Sequence, residues 1–458
     1  MRLFIFFMVL STGTSLFAQG DKSSCPANLS IFAEFAKVKN YDSAYTPWKE
    51  VWTVCPELNV ATFKYGERIL KHKISEATDD KTTYQAELIQ LYDDWLTHFP
   101  NAKSGASEVG SILSSKAQSM IDYNQGTLQE AFEVFDQAFT QDPNSFTSPN
   151  QLYTYFKTTY ELYKAGTTST EDLFTKYEEV SEKFELEQNK LTKKLDAILT
   201  KLDEGQALTS REQRSKRVYE TNVLAFSTYS NNLEAIISQE SSCENLIPLY
   251  RKNFEENRGD SVWLNRAASR MDAKECSDDP LFVELVEALH AINPSANSAY
   301  YLGLLKDKAN DSQAALAYYE ESLTLEQDKY RKAEILYKIA VKFNKKGLKS
   351  KSRSYAYRAL KNRPSMGKAY MLIASLYASS ANDCGTTQFE KRAVYWLAAN
   401  TARKAAAVDS GVKKTALKLV ESYEGRAPSK TDIFTEGRAG ETITFSCWIA
   451  DSVTVPQL

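Results

Sequence analysis
From Leu173 onward, apolar residues recur at Tyr177, Val180, Phe184, Leu191, Leu195, Ile198 and Leu202, in steps of three and four with one slip near Gln188. That spacing lines one stripe of a helix and predicts a single long helix over about 171–204. Gly205 ends it. Ser210 with Gln213 then reads as a capping box that opens a second helix through Val218, Ala225, Tyr229 and Ile236. The two fold back as an antiparallel hairpin over 171–238, either a protruding arm that touches a partner or a pair packed along its neighbours. The period changes near the end. In ETITFSCWIA, Ile443, Phe445, Cys447 and Ile449 alternate with more polar neighbours, which predicts a strand, and Ser452 to Val455 offers a second.

Elsewhere the pattern repeats. The segment from Ala296 carries Leu302-Gly303, Ala315, Tyr319 and Ser322. From Ala333 the same order returns as Ile339-Ala340, Phe343, Ser352, Ala359 and Pro364, and from Gly367 as Tyr370, Ile373-Ala374 and Tyr377. These residues resemble the tetratricopeptide repeat (TPR), a helical hairpin with small residues where helices meet closely, large apolar ones between them and a proline at the end. Gly303, Ala340 and Ala374 let the first helix approach its partner at Ala315 or Ser352, and Ala359 lets the next hairpin stack. Outside 296–380 the resemblance is looser. Ala44, Trp48, Val51 and Pro56, then Tyr92, Trp95 and Pro100, then Ala131, Phe135, Ala138 and Pro143 fit divergent copies. Ala398, Ala402, Ala405 and Asp409 look like the second helix of a last copy, after the insertion SSANDCGTTQFE.

The fold class expected is therefore all-α, a TPR-like α-solenoid of helical hairpins. Divergent repeats cover 19–170, the long hairpin 171–238, C-terminal repeats 239–425 and a short β-strand tail, serving as a cap, 426–458. The resemblance also implies a ligand groove on the inner side of each first helix. The positions concerned hold Asn297, Tyr300, Leu304, Asp307 and Lys308, then Glu334, Tyr337, Val341, Asn344 and Lys345, then Lys368 and Met371. Tyr, Lys and Asn together suit an extended peptide or a partner helix, and ordinary solvated side chains are the other reading. Tyr300 and Leu304 stand where carboxylate-clamping members of the family carry Lys and Asn, so that narrower function is not implied.

Composition narrows the compartment. Arg2, the apolar run Leu3 to Leu10 and Leu16-Phe17-Ala18 before Gln19 read as a signal peptide over 1–18, cut after Ala18. No later run approaches the roughly 18 apolar residues of a membrane span. The whole chain carries a net charge of −3, so no overall positive field draws it to nucleic acid. Gly (17) and Pro (12) are too few for a many-stranded β fold. There are six cysteines and no CxxC. In an oxidising compartment hairpin-length gaps pair Cys25 with Cys55 and Cys243 with Cys276, leaving Cys384 for Cys447. Each ~30-residue loop would contribute about 3–4 kcal/mol. Buried free thiols are the alternative.

Candidate chemistry is sparse. No GxxxxGK[ST], GxGxxG, HExxH or GxSxG occurs, and His72, His98 and His290 are scattered through helical pattern as packing or surface residues. The carboxylate pairs Asp79-Asp80, Asp93-Asp94 and Asp278-Asp279 fall at turns or helix faces, where capping and solvation account for them. No catalytic, cofactor or metal site is expected. Lys342–Arg363 holds nine Lys and Arg and no acid, a face for an anionic envelope polymer or an acidic protein, or merely a solvated one. The function expected is an exported, non-enzymatic scaffold for protein contacts in a bacterial cell envelope, at the periplasm or envelope surface. A glycan- or nutrient-binding protein is the competitor.

Overall fold
A computed structural model describes residues 22–458, so the proposed signal segment 1–18 lies outside the described residues. The chain divides into two compact units, Met1–Thr158 and Thr159–Leu458. In the first, three antiparallel hairpins follow one another: α1 (Cys25–Lys37) with α2 (Tyr41–Val54), α3 (Ala61–Glu76) with α4 (Lys81–His98), and α5 (Val109–Tyr123) with α6 (Leu128–Gln141). The division between the units falls within α7 (Pro149–Lys164). Aromatic residues fill the first two hairpins. Trp48 stacks on Trp52 at 5.1 Å, and its Nε1 donates to the Thr62 carbonyl at 2.7 Å. Gly66 makes room for that indole, since a Cβ there would sit 2.6 Å from it. Phe32 is fully buried in the same core.

The second unit begins with the long hairpin, α8 (Thr170–Asp203) and α9 (Ser210–Ile237). The box that opens α9 lies one residue earlier than the pattern suggested. Thr209 accepts from the Glu212 amide at 3.2 Å, and the Glu212 carboxylate accepts from the Thr209 amide at 2.9 Å. A glutamate reaches back better than Gln213, which instead donates to the Leu208 carbonyl. The buried stripe of α9 also differs, being Val223, Phe226, Leu233 and Ile237, while Val218 is 49% exposed.

Three further helices follow: α10 (Cys243–Asn257), α11 (Ser261–Ala273) and α12 (Pro280–Ile292). The repeats then appear where the periodicity placed them: α13 (Ala296–Lys308) with α14 (Ser312–Leu325), α15 (Lys329–Lys345) with α16 (Lys349–Asn362), and α17 (Gly367–Ala378) with α18 (Gln388–Val408). A Cβ on Gly303 would meet the Tyr319 ring at 2.6 Å, while Ala340, Ala359 and Ala374 are fully buried. The unit ends with α19 (Lys413–Glu424), α20 (Lys430–Glu436) and two antiparallel strands, β1 (Thr442–Phe445) and β2 (Asp451–Thr454). The tail is thus partly helical. β1 stops at Phe445 and does not run on to Ile449, because the chain turns over 446–449 and Ala450 follows at φ 43°. All six cysteines are paired as 25–55, 243–276 and 384–447, the first two closing helical hairpins and the third tying the insertion to the tail.

Candidate functional site on the inner face of the C-terminal repeats
Part of the face on which the groove would lie is crossed by α8. At one end the Asn253 amide donates to Glu171 at 3.1 Å. On α11, Arg266 forks onto both oxygens of Glu182 at 2.9 Å, and Arg270 donates twice to Glu178 at 2.6 and 3.0 Å. Arg270 also lies 3.9 Å above the Tyr177 ring. At the start of α15, Lys193 pairs with Asp328 at 2.7 Å, and the Tyr330 hydroxyl donates to Asp196 at 2.5 Å. From Glu171 to Asp196 these contacts run ~38 Å along one helix. The hairpin is packed along the repeats, so the protruding-arm reading falls. Its other side is covered by α9, where Phe184 meets Phe226 edge-on at 5.7 Å and Tyr177 donates to Glu234.

This seam is charged, and its Arg270–Glu178 pair is well buried. Burial raises the Glu178 carboxyl above its ordinary value against the pull of Arg270, and burial raises Asp196 against its hydrogen bonds to Ser365 and Tyr330. Burial also pushes up Glu334 on α15, but Lys368 at 2.5 Å and Arg363 at 3.0 Å outweigh it and hold the carboxyl below its usual range. Glu185 of α8 feels Glu334, Arg331, Lys338 and Lys368 across the same gap.

Among the predicted groove residues, Tyr300 is inside the fold. It is 2% exposed, packed on Tyr301 and Tyr319, and presents no ring face to a ligand. The Asn297 amide donates to Asn265 at 3.0 Å. Half-buried Tyr337 has the Lys368 ammonium 4.7 Å from its ring centre. The rest sit at the far ends of their helices, where cations reach acids of preceding elements. Lys308 binds Ser277 and Asp278 at 2.8 and 2.6 Å, Lys345 pairs with Glu275, and Asp307 with Lys346; Asn344 is exposed. The structure therefore brings Tyr337 and Lys368 together and leaves Asn344, Lys308 and Lys345 along an inter-repeat edge.

The basic stretch is mostly satisfied from within. Lys342, Lys345, Lys346, Arg358 and Arg363 pair with Asp272, Glu275, Asp307, Glu320 and Glu334. Lys349 binds Ser379 and Ser380, Arg353 donates to the Ile449 carbonyl, and Lys351 lies over the Phe343 ring. The sequence shows these cations but not their long-range partners, so Lys342–Arg363 as a whole is no free anion-binding face. Two clefts of about 580 and 520 Å³, one along α16 and one between α14, α15 and α16, share Arg358 and Lys361. Among the described residues no group of three or more His, Cys, Asp or Glu is placed to hold a metal ion, and no helix is long and apolar enough to cross a membrane.

The antiparallel hairpins and the small residues buried where their helices meet make the fold TPR-like. No protein-family model matches the chain, and no curated protein does. Among solved structures, a tetratricopeptide repeat protein from Parabacteroides merdae is similar over 68% of this chain and 97% of its own, at 13% identity and a TM-score of 0.24. Yeast Tom70 is similar over 88% and 96%, at 10% identity and a TM-score of 0.25. Cut9, from the Cut9–Hcn1 hetero-tetramer of the APC/C, is similar over the same shares at 10% identity and a TM-score of 0.30.

Proposed function
We propose that this protein is an exported scaffold or adaptor that holds protein partners in a bacterial cell envelope and performs no catalysis. The observation that carries this reading is that the repeats already bind a helix: α8 is gripped by forked arginines and buried tyrosines, the side chains that dominate protein interfaces. Because α8 takes up that face, partners meet the outer surfaces. Three closed disulfides support an oxidising compartment, as does the signal-like segment 1–18. Photo-crosslinking residues placed one at a time at Val262, Tyr357 and Phe434, which are 55, 45 and 74% exposed, test the proposal in the producing cell. Discrete protein adducts from at least one position, together with fully oxidised cysteines, are expected. Absence of adducts at all three, or reduced cysteines in freshly trapped protein, would overturn it.

A further inference from the structure
On α8, the residues that reach the repeats, Glu178, Glu182, Lys193 and Asp196, share one face of the helix. Glu185 and Asn189 continue that face at steps of three and four, between the pairs made to α11 and those made at the start of α15. Neither has a hydrogen-bond or ion-pair partner among the described residues, and Glu185 is exposed. On α15, Arg331 and Lys338 stand about two turns apart, exposed and unpaired with any carboxylate among the described residues; the Lys338 ammonium lies 5.4 Å from the Tyr300 ring centre. Arg331, Lys338 and Lys368 all pull on the Glu185 carboxyl, yet none closes an ion pair with it, so α8 stands off from α15 here. Solvent touches Glu185, and still desolvation, with Glu334 second, raises its carboxyl above the ordinary value. A side chain both wetted and crowded lines a crevice. Lys368, which shares Glu334 with Arg363, joins this wall to the half-buried Tyr337 ring, 4.7 Å away. Paired side chains bound the crevice at both ends, and from Glu182 to Lys193 it runs ~16 Å along α8.

We infer that this crevice binds a short peptide with free termini, its carboxylate on Arg331 and Lys338 and its ammonium on Glu185. The charges select that class. One unpaired acid on α8 faces two unpaired cations on α15, so a simple anion meets Glu185, a simple cation meets Arg331 and Lys338, and a neutral sugar uses neither wall. A zwitterion neutralises both. The length agrees, because ~16 Å of extended chain holds about four residues. Asn189 offers an amide to the peptide backbone, and Tyr337 offers a ring to a side chain. The inference does not rest on the scaffold proposal, in which protein partners meet the outer surfaces.

Isothermal titration calorimetry of the full chain with the tripeptide Ala-Phe-Ala at low salt tests it. The free peptide should bind once per chain, and its N-acetylated form about tenfold more weakly. Glu185→Gln should weaken the free peptide about tenfold and leave the acetylated one unchanged, whereas Lys338→Gln should weaken both. Both variants should melt as the wild type does, since the side chains they replace are exposed and unpaired. No binding at millimolar peptide, or a Glu185→Gln variant that binds the free peptide undiminished, would overturn the inference. Equal or tighter binding of the acetylated peptide would also overturn it and make the crevice a site for plain anions.

Discussion

The inner face of the C-terminal repeats and the exposed edge at the start of α19 are both dense in charge, and they use it in opposite ways. On the inner face the buried charges are paired: Arg266 and Arg270 fork onto Glu182 and Glu178, and Lys368 and Arg363 share Glu334. Along the edge, Lys413, Lys414 and Lys418 have none among the described residues. A buried pair that loses one member leaves an uncompensated charge in a poorly solvated place, so the inner face is committed to holding α8. Exposed cations cost the fold almost nothing and are available to something outside it. Charge density alone therefore says little about where a helical-repeat protein meets its partners; the pairing of that charge says more.

The comparison can be broken most forcefully at Arg270. Arg270→Ala leaves Glu178 buried and unpaired and should cost about 3–5 kcal/mol, read from urea denaturation. A loss below ~1 kcal/mol would put the pair in water. Repacking the repeats beneath should come next. Ala340→Leu adds three carbons where the native side chain is fully buried and should cost about 1–3 kcal/mol, lowering the melting temperature.

Acid titration sharpens the contrast between inner and outer carboxyls. Glu390 outside the seam is held down to about 2, first by the Thr386 hydroxyl and amide, so its contribution is present above about 4.5 and is lost as pH falls towards 2. Asp196 in the seam is raised by burial, so its ionised form costs stability at neutral pH and that cost disappears as pH falls through the raised value. Glu390→Gln should therefore lower the melting temperature at neutral pH by an amount worth about 1 kcal/mol or less, and the gap should close in acid. Asp196→Asn should raise it at neutral pH, and that gap too should close on acidification. The smallest effect belongs to the edge. The Lys413, Lys414, Lys418 triple glutamine variant should unfold within about 0.5 kcal/mol of wild type.

Much of the fold was legible because its signals are local. Gly303, Ala340 and Ala374 mark close helix approaches within one hairpin, and the steps of three and four from Leu173 to Leu202 set out α8 almost to the residue. The disulfide pairing followed from hairpin length. Two local choices were ambiguous on their own terms. Thr209 and Ser210 are adjacent hydroxyls, and only the reach of Glu212 decides between them. In α9 two apolar stripes coexist, and packing under α8 selected Val223, Phe226, Leu233 and Ile237 over Val218, Ala225, Tyr229 and Ile236. The burial of Tyr300 was illegible for a different reason. Whether Tyr300 is exposed, and whether the inner face is open, depends on pairs such as Arg270 with Glu178, 92 residues apart, which no periodicity encodes. A signal was nevertheless present. Glu171, Glu178, Glu182 and Glu185 fall at steps of seven, four and three, an acidic stripe beside the apolar one, complementary to the arginines of α11.

That α8 is an integral occupant of the inner face, and not a projecting arm, is tested most directly by native-state hydrogen exchange on the full chain. Amides over 173–199 should exchange only through the same opening that exposes α13 to α17, with equal dependence on denaturant. Exchange of that segment through a smaller, separate opening, while α13 to α17 stay protected, would contradict the account and return the inner face to outside partners.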